Sequence, residues 1–264
     1  MGRIRSPASA TSIAARGTTS RGFACEARRS MRRITPLPYA ALVSEPLPLF
    51  PLNTPLVPGL VLPLHIFEPR YRGLVRDLLD MPDEDEREFG IIAVRDGRDI
   101  GRDGIDALFP IGVSAILRQA EELEDGRFEI VTTGSRRFRL LDLDDSAPLL
   151  RGEVEFLEDL PGPVDTVLTG QVSRRFHDYR AALSGQVQAT VEDDEIPQDP
   201  TVLSYLVTAA MVIPPDERQH LLAAETTSER LTYASSLLSR ETLLISELAA
   251  VPALDLPGAA PSLN

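Results

Sequence analysis

The sequence predicts an α+β fold, in which an N-terminal β-barrel with one early helix is followed by a C-terminal helical bundle. Apolar residues alternate with a period of two from about residue 47 to 158, a spacing typical of β-strands. Pro161-Gly162-Pro163 then breaks the chain, and the apolar period after it is 3.6, as in helices. Six or seven short strands within about 110 residues favour a closed or nearly closed barrel.

The first two strands and the first helix are predicted from residues 47–79. Residues 47–50 form a short strand, and the prolines in and beside it suit a sheet edge, namely Pro46, Pro48 and Pro51. Residues 61–67 are apolar on both alternating faces, so we expect this strand to be buried on each side. Pro69 suits the first turn of a helix. One core-facing stripe then recurs at helical spacing, made of Tyr71, Leu74, Val75, Leu78 and Leu79.

The later elements follow from the same two periods. Strand patterns resume at residues 89–94, 111–117, 128–130, 138–140 and 150–156. Gly134-Ser135 is interpreted as a turn between two of these strands, and the runs at 83–88 and 96–106 as exposed loops. Helical patterns cover residues 164–183, 201–212, 216–225 and 231–248, with an acidic linker at 192–195. Thr226 and Glu229 have the spacing of a capping box.

These patterns divide the chain into a basic tail at 1–40, the barrel at 41–160, the helical part at 161–250 and a frayed C-terminus at 251–264. The tail holds eight of the 27 arginines and one of the 40 acidic residues, so we expect it to be disordered. Its composition resembles an organelle transit peptide. The alternative is a start codon assigned too far upstream, with Met31 as the true initiator. The use of arginine as the sole strong base indicates a GC-rich, bacterial genome.

Charge and cysteine content narrow the classes of partner. Residues 41–264 carry 19 arginines and 39 acidic residues, a net charge of −20, which argues against nucleic-acid binding because such a body repels phosphates. No apolar run approaches the roughly 18 residues of a membrane span, so no membrane partner is expected. The only cysteine, Cys25, cannot form an intramolecular disulfide, which fits a cytoplasmic location.

No constellation of residues predicts catalysis, a metal or a cofactor. There is no G-x-S-x-G sequence and no lysine, and a hydrolase needs a nucleophile beside an activating base. The three histidines, His65, His177 and His220, fall in separate elements without metal-binding spacing. The run 96–106 places Gly101 as in an EF-hand loop, but Arg98 and Ile100 occupy ligand positions.

Several segments, in order, resemble the N-terminal, substrate-binding domain of Lon proteases. They are LPLFPLN (47–53), VLPLHIFEPRY (61–71), FGIIAV (89–94), FPIGVSAIL (109–117), GSRRFRLLDL (134–143) and DERQHLL (216–222). The resemblance covers roughly residues 45–250. It implies a pseudouridine-synthase-archaeosine-transglycosylase-like (PUA-like) barrel followed by a helical bundle. It also implies a domain that captures unfolded or tagged proteins and helps a hexamer to assemble.

The resemblance leads to a function without catalysis. Lon proteolysis uses a Ser–Lys dyad and its ATPase needs a P-loop lysine, whereas this sequence contains no lysine. We therefore expect a protein-quality-control factor that binds unfolded or exposed polypeptide segments, as an adaptor or holdase. It would act alone or with a separate Lon protease, as a monomer or an oligomer. The alternative functions are a small-molecule-sensing barrel coupled to a partner protein, and an unrecognised hydrolase.

The predicted binding site is the junction of the second strand with the first helix. Its candidate polypeptide-binding residues are His65, Phe67, Glu68 and Arg70. The alternative is that His65 is a structural histidine satisfied by Glu68 or a carbonyl group, and that Glu68 and Arg70 cap and flank the helix. Tyr71 lies on the apolar stripe, so we expect it to be buried.

Overall fold

The computed structural model describes residues 44–164, 166–186 and 196–249. Six strands and six helices are present in this part of the chain. The strands are β1 (Glu45–Leu52), β2 (Val61–Ile66), β3 (Glu88–Ala93), β4 (Ile111–Glu122), β5 (Phe128–Asp144) and β6 (Arg151–Phe156). The helices are α1 (Pro69–Leu79), α2 (Ile100–Asp103), α3 (Thr166–Gln186), α4 (Pro200–Ala210), α5 (Pro215–Ala223) and α6 (Thr227–Ala249). The predicted tail, acidic linker and frayed C-terminus lie outside the described residues.

The predicted fold class is confirmed. Five strands form a near-barrel ring in the order β5-β4-β3-β1-β6, closed by pairing of β6 with β5. β2 stands outside this ring, and among the strands of the described residues it pairs with β5 alone. The helices α3, α4, α5 and α6 pack together after the barrel, around a core that includes Val172, Phe176, Leu203, Leu231 and Leu238.

The long strand β5 corrects the prediction of a turn at Gly134-Ser135. Residues 128–133 pair with β2 and residues 138–144 pair with β6, so one continuous strand serves both neighbours. Gly134 is required because the preceding loop crosses it closely. Its N–H donates to Leu60 O at 2.9 Å, and a Cβ atom would lie 2.4 Å from Val57 O. The glycine marks a close approach of two backbones.

The position of β1 differs from the predicted sheet edge. Residues 45–48 pair antiparallel with β6, and residues 49–52 pair parallel with β3. Each half of the strand therefore has one ladder partner, and Leu49 N adds a single bond to Leu150 O, beside β6, at 2.9 Å. Proline lacks the N–H that a second ladder would need, so Pro46, Pro48 and Pro51 are tolerated within the sheet order.

The strand β2 is the true edge, and its predicted burial on both faces is wrong. Val61 is 57% exposed, and Pro63 and His65 are also exposed, whereas Ile66 is buried. The reason is topological: β2 lies outside the ring, so only its even-numbered residues face the core.

The helix α1 follows the predicted stripe with one exception. Tyr71, Leu74, Val75 and Leu78 are buried against the barrel core, while Leu79 is exposed. Pro69 occupies the first turn, as predicted. Because its buried stripe anchors α1 to the barrel, the helix fixes the position of residues 67–68, which connect it to β2.

Two further local predictions have different outcomes. The capping box before α6 is confirmed, since Thr226 Oγ1 accepts from Glu229 N and Glu229 Oε2 accepts from Thr226 N, each at 3.2 Å. The run 96–106 forms α2 and a short 3-10 helix, in which Asp99 caps α2 by accepting from Arg102 N. The run is therefore exposed, as predicted, but it forms two short helices and not an irregular loop.

Two buried arginines join the barrel to the helices, and we call them, with Asp159, the arginine latch. Arg137 of β5 donates to Leu222 O and Ala224 O, each at 2.7 Å, and lies 2.9 Å from the Asp159 carboxylate. Arg230 of α6 lies 3.5 Å from the same carboxylate. The side chains of Arg137 and Arg230 are 2% and 0% exposed.

Tyr205 of α4 completes the contacts of the latch. Its hydroxyl donates to Asp159, and the Arg230 guanidinium stacks 4.2 Å from the centre of its ring. Burial raises the pKa of Tyr205, and burial lowers the pKa of Arg230. The single carboxylate thus holds groups from the barrel, α4 and α6 together.

We expect Gly134→Ala to lower the free energy of unfolding by about 1–3 kcal/mol, because the new methyl group would overlap the Val57 carbonyl. Gly73→Ala is the matched control. Gly73 lies within α1 with open space around it, so this change should raise stability by about 0.5–1 kcal/mol. Urea denaturation of both variants measures the difference, and equal stability would contradict the close approach.

We expect Asp159→Asn to lower the free energy of unfolding by about 3 kcal/mol, because two buried guanidinium groups would lose the one carboxylate that contacts them in the described part of the chain. The control is Glu122→Gln, which breaks an exposed pair with Arg76 at 2.7 Å and should cost under about 1 kcal/mol. Chemical denaturation of both variants tests this. A loss for Asp159→Asn no larger than for the control would show that backbone carbonyls suffice for the arginines.

Candidate functional site

The predicted site lies where β2 ends and α1 begins, and its four residues fall into two pairs. His65 and Phe67 form the first pair on the outer face of β2, with ring centroids 6.3 Å apart and planes inclined by 27°. Phe67 is 61% exposed. An aromatic ring is therefore presented to solvent at the end of an edge strand.

His65 is held by the neighbouring strand and not by Glu68. It faces Glu129 across the β2–β5 ladder, and its Nδ1 lies 2.6 Å from Glu129 Oε1. Arg127 Nη1 lies 3.1 Å from His65 Nε2. Because a guanidinium can only donate, Nε2 accepts and Nδ1 donates to the carboxylate. The predicted structural histidine is thus present with a different partner, 64 residues away.

Glu68 and Arg70 form the second pair, at the start of α1. Arg70 Nε donates to Glu68 Oε2 at 2.9 Å, and its Nη1 donates to Pro148 O at 3.2 Å. The Arg70 guanidinium also lies 4.7 Å from the centre of the Tyr71 ring. Glu68 occupies the N-cap position, but its side chain makes no capping hydrogen bond. The Glu68 carboxylate therefore orients Arg70 and does not cap α1, whereas the Glu68 backbone carbonyl accepts from Tyr71 N and Arg72 N.

The Glu68–Arg70 pair borders an open cavity of about 680 Å³. Its apolar floor includes Phe50, Val94, Ile100 and Leu150, and its rim includes Asp99 and Asp145. His65 and Phe67 do not line this cavity. Tyr71 lies at its side, and burial raises the pKa of the Tyr71 hydroxyl. The junction therefore presents an aromatic outer face and a separate charged rim.

Sequence reasoning missed a second apolar groove, between the loop 58–60 and α4. It has a volume of about 430 Å³ and is lined by Leu60, Val202, Leu206 and Ala209, with Asp159 and Tyr205 of the arginine latch. The signal was available, because Val202 and Leu206 form a second apolar stripe on α4, next to the stripe of the buried Leu203 and Val207.

Within residues 44–164, 166–186 and 196–249, no three His, Cys, Asp or Glu side chains are grouped so that they could hold a metal ion. Over the same residues, no helix has both the length and the apolar character of a transmembrane span.

Comparison with known proteins identifies the family. The ATP-dependent protease La (LON) substrate-binding domain matches residues 46–240. The chain belongs to this family. It is 27% identical over 190 residues to Lon protease 1 of Hydrogenovibrio crunogenus, covering 70% of this chain and 22% of that protein. It is 26% identical over 200 residues to Lon protease of Anaeromyxobacter dehalogenans, covering 74% and 23%. The chain thus spans under a quarter of the length of these relatives.

Two solved structures share the fold of this Lon-family chain. The Lon N-terminal domain protein from Xanthomonas campestris has a TM-score of 0.52 and 24% identity, and the N-terminal domain of Mycobacterium avium complex Lon protease has 0.54 and 16%. Each similarity covers 74% of this chain and 98% of the other. At these identities the similarity supports the barrel-and-helices fold alone.

The neighbours Phe67 and Tyr71 should differ in their effect on stability. Tyr71 is 4% exposed, so Tyr71→Ala leaves a core cavity and should lower the free energy of unfolding by about 2–4 kcal/mol. Phe67→Ala removes an exposed ring and should change it by less than about 0.5 kcal/mol. Thermal and urea melts compare the two. Unfolding of the barrel by Phe67→Ala would show that this ring belongs to the core.

Proposed function

We propose that this chain is a non-catalytic Lon-like substrate-binding protein that binds unfolded or exposed polypeptide segments through the outer face of the β2–α1 junction. The observation that carries the proposal is Phe67, a large aromatic side chain that is 61% exposed at the end of an edge strand. Membership of a protease substrate-binding family indicates that the ligand is a polypeptide. The exposed ring of Phe67 provides an apolar contact for it.

The apolar surface around Phe67 is larger than one ring. Val61 and Pro63 are exposed on the same face of β2, and the adjacent Val131 of β5 is half-buried. His65 separates these residues from Phe67 along the strand, with its ring 6.3 Å from that of Phe67. Exposed apolar groups on one face of a folded surface are typical of interaction sites. Aromatic side chains contribute strongly to such interfaces because they bury a large area with few rotatable bonds.

The support beneath this surface is rigid, which favours binding. The cross-strand contact with Glu129 fixes His65, and Tyr71 anchors the first turn of α1 in the core. Phe67 lies between these two fixed points. A preorganised surface loses less conformational entropy when it captures a flexible chain. Glu68 and Arg70 provide the polar border through their mutual ion pair at 2.7 Å.

In the cell, we propose that the protein serves bacterial cytoplasmic quality control as an adaptor or holdase. The curated relatives are named Lon proteases, and the match lies in their substrate-binding domain. A protein that binds an unfolded polypeptide without proteolytic or ATPase activity would either shield that polypeptide or present it to a separate Lon protease. Incubation with casein and ATP tests the absence of proteolysis, and cleavage that survives stringent purification would overturn it.

A small-molecule-sensing barrel is the second candidate, and the cavity of about 680 Å³ beside Glu68 and Arg70 is the observation that favours it. Its volume lies in the range of ligand pockets. A metabolite library that shifts the melting temperature of the wild type, but not of Arg70→Ala, would favour this candidate.

We expect Phe67→Ala to weaken binding to reduced and alkylated lysozyme by about 1–3 kcal/mol, the loss of a modest interface anchor. Leu243→Ala is the matched control, because Leu243 is also 61% exposed but lies on α6. It should leave affinity unchanged. Fluorescence anisotropy without ATP measures both variants, with folded lysozyme as the competing ligand. Equal affinity for folded and unfolded lysozyme would contradict the proposed function.

A further inference from the structure

We infer that a bound polypeptide segment adds to the sheet as an extra strand along the free edge of β2. The inference rests on the proposed function and specifies how the chain would be held. β2 pairs with β5 on one side, and no strand of the described chain lies on its other side. Such an edge can supply main-chain hydrogen bonds to an extended peptide.

The hydrogen-bonding pattern identifies which groups face this edge. In an antiparallel pair, alternate residues exchange hydrogen bonds with the partner strand. Gly134 N donates to Leu60 O at 2.9 Å, and Thr132 Oγ1 reaches Leu62 O at 3.0 Å. The backbone N–H and C=O groups of the even-numbered residues of β2 therefore point towards β5. Pro63 has no N–H and could not donate to β5, which agrees with an outward direction for the backbone groups of the odd-numbered residues.

It follows that the odd-numbered residues direct their backbone groups outward. Val61 and His65 each present an N–H and a C=O, and Pro63 presents a C=O. The close contact of His65 with Glu129 supports the same direction, since side chains are nearest in pairs that do not exchange backbone hydrogen bonds. An added strand would thus find two donors and three acceptors along β2.

The side chains beside this edge favour an apolar segment. Val61, Pro63 and Phe67 border it on the solvent face, where the alternate side chains of an added strand would pack. On the other face, Leu62 and Leu64 are only partly buried. Both faces of a captured strand could therefore bury β-branched or aromatic residues against β2.

Charge complementarity further defines the occupant. The hairpin at residues 121–129, beside the C-terminal end of β2, carries five acidic residues and Arg127. Arg72 and Arg76 of α1 lie against it, and Arg76 pairs with Glu122 at 2.7 Å, so the hairpin keeps a smaller acidic excess. An acidic segment would be repelled there, whereas lysine or arginine at one end would be attracted. The occupant to which the edge is matched is an extended, apolar segment of an unfolded protein with a basic flank.

The test uses a labelled 12-residue peptide of alternating valine and threonine with two flanking lysines. Two further versions of the peptide replace backbone N–H groups by ester oxygens, one version at the odd-numbered residues and the other at the even-numbered residues. Only one of these two sets would point towards β2 in an added strand. Loss of several hydrogen bonds should weaken binding at least tenfold in one version. Exchange of the lysines for glutamates should weaken it at least fivefold. These experiments use the unaltered protein.

A protein variant provides the complementary measurement. Val61→Pro removes one outward N–H without breaking the ladder to β5, and should weaken peptide binding at least threefold. Val61→Thr retains the N–H and is the matched control. Thermal melts of both variants confirm folding, and the ester peptides decide the question if Val61→Pro does not fold.

The outcomes separate this inference from the proposed function. Equal affinity of both ester versions and the parent peptide would overturn strand addition, as would binding of unfolded lysozyme without any binding of the parent peptide. If unfolded lysozyme still depends on Phe67 in either case, the proposed function stands. If neither lysozyme nor peptide binds, both proposals fail.

Discussion

The arginine latch is the interaction on which the arrangement of the molecule depends. Two guanidinium groups lie buried around one carboxylate, so the charges are tolerated only while Asp159, the backbone carbonyl groups and Tyr205 all keep their places. Arg137 comes three residues after Gly134, where β5 passes from its pairing with β2 to its pairing with β6. The latch therefore fixes the helices to the part of the barrel where the sheet divides.

The division of β5 also creates the candidate site. A strand of 17 residues is longer than the ring needs, and its first half carries β2 away from the closed part of the barrel. Since β2 has a single partner, one face and one edge remain in solvent, and the tight passage of the loop over Gly134 sets its register. Helix α1 then covers the core-facing side. The exposure of Phe67 thus follows from topology and not from a local feature of its sequence.

This explains which parts of the molecule the sequence could predict. The stripe of α1 and the capping box of α6 depend on residues a few positions apart, so periodicity and spacing reveal them. The burial of β2 was mispredicted because 61–67 are apolar on both faces, which is equally compatible with a buried strand and with a binding edge. The His65 partner, Glu129, could not be found locally, because it requires the β2–β5 register. Gly134 carries the sequence signal of a turn because a glycine required by a close approach of two backbones gives the same local pattern.

An exposed edge strand carries a risk of uncontrolled pairing, and the sequence of β2 limits that risk. Pro63 lies at the centre of the edge and withholds one donor, which shortens the uninterrupted ladder available to any added strand, whether it is a neighbouring copy or a bound peptide. The acidic hairpin beside β2 repels a second copy of the same acidic chain. We expect both features to disfavour pairing with a second copy, whereas the proposed client with a basic flank would find two donors, three acceptors and an aromatic ring. If strand addition is how a polypeptide binds, these features favour transient capture of an extended chain over a permanent contact between subunits.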